Sequence, residues 1–286
     1  MTTATRFAAA ESGHFNAADG VQIQYRVHQV DAPRFGVVVV HGFAEHGNRY
    51  GHLVDAVVPA GGAVLTYDQR GHGQSGGRRV FVLRFDEYLD DLAQVLALAK
   101  SKLPQPLFVV GHSMGGLVVL SYALRDRGAA AAWAVSNPAL VNRVAVPAWK
   151  EALAKAMSSL VPALSLPSGI PPDHISRDAD EVRQYADDPL NSKNATARWY
   201  TEYVAAQQRL AASAEGLRDL PLLVQIGDGD RIIDPGVTRK FCERIGGSAL
   251  RVEVYPGLYH EIFNELTADR DRVLADLVGW LTARAA

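Results

Sequence analysis

The chain has 286 residues, 48% of them hydrophobic and 21% charged, and a formal net charge of −2 at pH 7. That length suits one large α/β domain, or a domain carrying an insertion. The near-neutral balance argues against nucleic acid as the main partner, because phosphate-binding proteins usually carry a basic excess. The single cysteine, Cys242, excludes an internal disulfide framework and reads as a buried structural thiol.

In chain order, Met1–Phe7 lacks the apolar run of a secretory signal. No stretch approaches the ~18 apolar residues needed to span a bilayer. The expectation is a cytoplasmic protein, with peripheral contact to a membrane left open. Gly13–Asn16 and Val21–Val27 read as short strands around an Asp19-Gly20 turn. Val37–Val40 is a β-branched run that suits a strand covered on both faces. Tyr50–Ala60 reads as a helix, Ala63–Tyr67 as a strand, and Phe85–Lys102 as a helix with Leu89, Leu92, Val95, Leu96 and Ala99 at helical spacing. A strand at Leu107–Val110, a helix at Leu117–Arg125 and a strand at Ala132–Val135 follow. The alternation then lapses between about 139 and 215. In that block Trp149–Leu164 places Trp149, Leu153, Met157, Leu160 and Leu164 on one helical face, and four prolines lie between 162 and 172. Alternation resumes with a strand at Leu222–Ile226, a helix at Val237–Ile245, a strand at Leu250–Tyr255 and a helix at Asp269–Ala283.

Alternating βα units with continuous apolar strands predict a mostly parallel central sheet with helices on both faces. The expected organisation is a core of residues 1–138 and 216–286 with a helical cap insertion, residues 139–215. The insertion lies over the C-terminal edge of the sheet, where such sheets bind ligands.

One motif stands in the right context for chemistry. Gly111-His112-Ser113-Met114-Gly115 follows an apolar strand and precedes an apolar helix. A strained strand-to-helix turn lifts a serine hydroxyl out of the fold, and glycines flank it because side chains have no room there. Gly73-Gln74-Ser75-Gly76-Gly77 has the same spelling but no strand leading in and no helix leading out, so Ser75 reads as a loop serine. Gly71-His72-Gly73-Gln74-Ser75-Gly76 fits a dinucleotide fingerprint, and also fails because no helix follows to receive a pyrophosphate.

An exposed serine needs a base, and the base needs an acid to orient it. Behind such an elbow the partners follow in the order acid, histidine. Of nine histidines, only His174 and His260 come after Ser113. His174 precedes any later strand able to supply an acid, so His260, just past a predicted strand, is the candidate base. The acid should follow Leu222–Ile226, where Asp228, Asp230 and Asp234 stand. Asp234 before Pro235 suits a helix N-cap, Asp228 suits the turn, and Asp230 is left to face the imidazole. The backbone N–H groups of Met114 and Phe43 are the candidate oxyanion donors. His41 and His46 have no further ligands beside them, so no metal is expected, and the chemistry needs no cofactor.

These residues together resemble the serine-hydrolase branch of the α/β-hydrolase superfamily. More narrowly they are similar to bacterial monoacylglycerol lipases and related lysophospholipase-like hydrolases. The matching pieces are His41-Gly42-Phe43-Ala44-Glu45-His46, Asp68-Gln69-Arg70-Gly71-His72-Gly73-Gln74-Ser75, the run 111–116, Gly227-Asp228-Gly229-Asp230 and Tyr255-Pro256-Gly257-Leu258-Tyr259-His260-Glu261. Ile175-Ser176-Arg177-Asp178 with Asp187-Asp188-Pro189-Leu190 looks like the cap of the same group. The resemblance implies an α/β-hydrolase fold, Ser113, Asp230 and His260 as the catalytic residues, and a lipid monoester, such as a monoacylglycerol, as substrate. It also implies that Ser75 belongs to a structural Gly-His-Gly-x-Ser loop. One departure concerns substrate size: Phe43-Ala44 stand where the family often has glycine or small residues. A small-ester esterase or peptidase of the same fold, and a non-catalytic binding protein, are the alternatives. The amphipathic helix after Trp149 is open to three uses: lining an acyl tunnel, docking on lipid, or packing on the core.

Overall fold

The computed structural model describes residues 7–143 and 148–286. The readings made on Met1–Arg6, and on residues 144–147 within the expected insertion, lie outside the described residues.

The strands are β1 (Glu11–Asn16), β2 (Gln22–His28), β3 (Phe35–Val40), β4 (Gly62–Tyr67), β5 (Leu107–His112), β6 (Ala132–Ser136), β7 (Ser165–Pro167), β8 (Asn194–Thr196), β9 (Leu222–Gly227) and β10 (Leu250–Tyr255). The helices are α1 (Gly51–Val57), α2 (Asp86–Lys102), α3 (Met114–Arg125), α4 (Ala148–Leu160), α5 (Ala179–Asp187), α6 (Ala197–Ala212), α7 (Pro235–Ile245) and α8 (Thr267–Ala285). Eight strands form one sheet in the order β1-β2-β4-β3-β5-β6-β9-β10. Only β1–β2 and β2–β4 pair antiparallel; every other pair in the sheet is parallel. This is the α/β-hydrolase fold, with a mostly parallel sheet and helices on both faces.

The central strands are buried along their whole length because both faces are covered. On β3, Val38 and Val40 enter one core while Phe35, Val37 and Val39 enter the other. On β5, Leu107 and Val109 face the first and Phe108 and Val110 the second. The first core is closed by α2, α3 and α7 through residues such as Leu92, Leu117 and Phe241. The second is closed by α1 and α8 through Leu53, Val57, Leu277 and Trp280. Burial on this scale, at about 25 cal/mol per Å² of apolar surface, is what holds the sheet in place.

Between β6 and β9 lie α4, α5, α6 and the short pair β7–β8. That pair is absent from the sequence reading, because three-residue exposed strands leave no periodic signal. The helix expected over Trp149–Leu164 ends at Leu160, just ahead of Pro162. Much of its apolar face is turned outward, with Trp149 65% exposed, Leu153 47% and Leu160 74%, while Met157 is half-buried. The helix meets α6 instead through a smaller residue, with Ser158 buried and its hydroxyl 2.7 Å from that of Thr201. The helix expected from Leu117 starts three residues earlier, at Met114, directly after Ser113.

Candidate active site

Ser113 sits between β5 and α3 at φ 51°, ψ −119°, a backbone conformation that L-residues rarely hold. Its surroundings require this. A Cβ on Gly115 would lie 2.1 Å from the Val40 carbonyl oxygen, and one on Gly111 would lie 2.6 Å from that of Gly115. The turn therefore packs backbone on backbone and turns the serine side chain toward the sheet's C-terminal edge.

His260 follows β10 and Asp230 follows β9. The imidazole Nε2 lies 2.8 Å from Ser113 Oγ, and Nδ1 lies 2.7 Å from Asp230 Oδ2. With the ring proton on Nδ1 donated to Asp230, Nε2 is left to accept from the serine hydroxyl. The other oxygen of Asp230 accepts from the N–H groups of Ile232 (2.7 Å) and Ile233 (3.0 Å), which fixes the carboxylate. Ser113 is 7% exposed, His260 5% and Asp230 not at all. Burial opposes charge on His260, but the charge and hydrogen bond of Asp230 outweigh it and hold the imidazole above its ordinary value. His112 packs its ring 4.8 Å from that of His260 and bonds Ser136 Oγ through Nδ1. Burial, then the neighbouring His260, push it down to about 3, so it stays uncharged beside the His260 ring.

The other carboxylates fall where their local roles placed them. Asp234 caps α7, accepting from Gly236 N–H (2.8 Å) and Val237 N–H (3.2 Å). Asp228 accepts from Gly257 N–H at 2.6 Å. Ser75 donates to the Asp68 carbonyl and accepts from the N–H of Gln24 on β2, so it ties its loop to the sheet. His41 is held by Gly42 and Gln69, and burial pushes it down to about 4. His46 Nε2 faces Asp188 at 3.0 Å. Among the described residues no group of three or more His, Cys, Asp or Glu is arranged to hold a metal ion.

Sequence reasoning missed the groups beneath this relay. Arg49 is fully buried between two carboxylates: Nε donates to Glu45 Oε2 (3.1 Å) and Nη2 to Glu261 Oε2 (2.5 Å). Its guanidinium also lies 4.9 Å from the centre of the Tyr185 ring, on α5. Glu45 in turn accepts from the N–H of Gly42 (2.5 Å) and the hydroxyl of Tyr50 (2.7 Å). The loop after β3 is thus tied to the chain next to His260. Asn137, after β6, donates to the His260 carbonyl (2.7 Å) and accepts from Gly227 N–H (2.9 Å), joining the loops that carry His260 and Asp230. The one available signal was position, since Glu45 lies inside a matched run and Asn137 at a strand's C-terminal end.

A cavity of about 30 Å³ adjoins Ser113, walled by Phe43, Ile170, Ile175, Tyr185 and Ile232. The Phe43 ring packs 4.5 Å from that of Trp199 on α6, so this side chain is pinned against the helical block. Among the described residues, none of α4 lines the cavity. A space of that size holds about one water molecule, far short of an acyl chain. A buried hydroxyl–imidazole–carboxylate relay with apolar walls is able to generate a serine nucleophile and return its proton to a leaving group.

The profile of the family described as serine aminopeptidase, S33 matches residues 31–267. The chain is 35% identical over 272 residues to a monoacylglycerol lipase of Mycolicibacterium smegmatis, covering 94% of this chain and 96% of that protein. The crystal structure of a monoacylglycerol lipase from Paleococcus ferrophilus superposes with a TM-score of 0.83 at 29% identity, over 92% of this chain and 99% of that one. A soluble variant of the monoglyceride lipase from Saccharomyces cerevisiae superposes with a TM-score of 0.87 at 24% identity, over 99% and 98%.

Proposed function

The chain belongs to the serine aminopeptidase S33 family of hydrolases, and on that premise we propose that it is a serine ester hydrolase that cleaves lipid monoesters, monoacylglycerols foremost. Ser113 attacks the ester carbonyl as His260 takes its proton. Asp230 keeps the imidazole oriented and stabilises its cationic form. The N–H groups of Phe43 and Met114 receive the oxyanion, each worth roughly 3 kcal/mol in the transition state. The neighbouring N–H groups are engaged elsewhere, Gly42 with Glu45 and Ser113 with Ser136, which supports that assignment. His260 then returns its proton to the leaving alcohol, and water clears the acyl-enzyme through the same base.

The observation that carries this reading is the unbroken relay of 2.8 and 2.7 Å from Ser113 to Asp230 beneath apolar walls. An aminopeptidase must seat a free ammonium group. The two carboxylates at the cavity, Glu45 and Glu261, are both occupied by Arg49, which favours an uncharged ester. The match to the mycobacterial monoacylglycerol lipase runs over almost that protein's entire length, and this supports the same substrate class here.

Residues 139–215 act in this reading as a cap over Ser113. The exposed Trp149, Leu153 and Leu160 supply a peripheral contact with a lipid surface. No helix among the described residues is long and apolar enough to cross a membrane.

The test is a fluorophosphonate probe followed by a substrate panel. Ser113 should be the labelled residue, and Ser113→Ala should remove both labelling and turnover while the protein stays folded. Monoacylglycerols should be hydrolysed more efficiently than p-nitrophenyl acetate or aminoacyl amides. Faster cleavage of the amides would replace the lipase reading with a peptidase.

A further inference from the structure

A second cavity, of about 530 Å³, opens beside the loop that carries Asp230 and shares no lining residue with the cavity at Ser113. Its walls include Arg143, His174, Arg231 and Tyr259. Both arginines are held by uncharged partners. The Arg143 guanidinium donates to the Asp230 carbonyl oxygen. That of Arg231 lies 4.1 Å from the centre of the Tyr259 ring and donates to the Tyr259 hydroxyl. No carboxylate of the described residues forms an ion pair with either one. This sets them apart from Arg26, Arg49, Arg70 and Arg177, each of which is bound to an acid. The one acid at the cavity, Asp228, is turned to the Gly257 N–H (2.6 Å) and to Arg239 (3.6 Å), so it does not cancel the charge of the two arginines.

Two guanidinium groups from different segments, fixed in direction but not neutralised, with an imidazole beside them, suit an anion that carries more than one negative charge, as phosphate does and a monocarboxylate does not. Each guanidinium presents a planar fork of donors, and an ester-linked phosphate offers at least two anionic oxygens. The cavity has room for a phosphate with an organic substituent. We propose that this cavity is a phosphate-binding site, filled either by inorganic phosphate or by the phosphate of a lipid headgroup. Its occupancy is linked to the relay by covalent neighbours: Arg231 follows Asp230, Tyr259 precedes His260, and Arg143 holds the Asp230 carbonyl. Binding itself does not depend on the hydrolase reading, so failure of one leaves the other standing.

The experiment is calorimetric titration of the full chain with sodium phosphate and, separately, sodium acetate at matched ionic strength. Phosphate should bind at least about tenfold more tightly than acetate. Arg143→Gln and Arg231→Gln should each weaken phosphate binding by about tenfold, the loss of one charge-assisted contact at a half-open site. Arg231→Lys, which keeps the charge and loses the fork, should fall between. Thermal unfolding of each variant reports that it is folded. A second arm measures cosedimentation with phosphatidylcholine vesicles containing phosphatidic acid. Binding that Arg231→Gln weakens and free phosphate displaces assigns the headgroup as ligand. Phosphate titration without such vesicle binding assigns the free ion. No phosphate binding, equal binding of acetate, or wild-type affinity in both folded glutamine variants overturns the site.

Discussion

In the proposed mechanism His260 has to be neutral to accept the proton of Ser113, and Asp230 holds it above the ordinary imidazole value of 6.5. The kcat/KM for a monoacylglycerol should therefore rise with pH through a limb whose midpoint lies above 6.5. Asp230→Asn should move that limb to lower pH and reduce the rate by roughly 10⁴. Asp228→Asn should leave the rate near that of the wild type, because its carboxylate braces Gly257 rather than the imidazole. Equal losses in the two variants would remove Asp230 from the assignment. These residues were legible because the chemistry constrains their order: a serine at an elbow, an acid after one strand, a histidine after the next. Arg49 was not legible. Its partner Glu261 is 212 residues away, and nothing local marks an arginine that will be buried between two acids.

At the scale of elements, the turn into α3 and the ion cluster under it make separate demands. Gly115→Ala should destabilise the protein by about 3 kcal/mol or more in chemical denaturation, since its Cβ would run into backbone, the Val40 and His41 carbonyl groups, rather than a side chain that can move aside. Normal stability would mean that the turn is softer than its contacts indicate. Arg49→Met leaves two carboxylates buried together and should cost about 3–5 kcal/mol. It should also lower kcat more than it raises KM, because Glu45 holds the loop carrying Phe43 and Glu261 adjoins His260. A purely structural role would leave kcat intact in the folded protein. Among elements, the βα alternation was readable because each central strand is apolar on both faces. The orientation of α4 was not. A stripe at Trp149, Leu153 and Leu160 announces a face, but not how far protein covers it, and here all three side chains are largely exposed.

For the whole molecule, buried histidines held below their ordinary value, among them His28, His41, His72 and His112, set the response to acid. Burial holds His41 down to about 4, His72 to about 3 and His112 to about 3, all below the unfolded value of 6.5. Each binds a proton more readily once the chain unfolds. Their contribution is complete above about pH 6.5 and is lost as the pH falls toward 4 and 3, at roughly 1.4 kcal/mol per pH unit for each. His260, with its raised value, works in the opposite sense: its contribution is present below 6.5 and is lost as the pH rises through the folded value. Thermal unfolding should show a Tm that drops steeply below pH 6, and a flat profile from pH 7 to 5 would contradict the assignment. The helical block bears on any attempt to redesign the molecule. Ile175 accepts from the N–H of Glu261, Ser176 donates to the Asn264 carbonyl, and Ser192 donates its N–H to the Ala44 carbonyl. These bonds fasten the proposed cap to the loop after β3 and to the chain around His260. Trimming it away to admit bulkier esters would not uncover a ready-made catalyst. It would cut the guy-lines that keep those loops in register, so a larger opening has to be carved from side chains such as Phe43 while the stitched backbone is left whole.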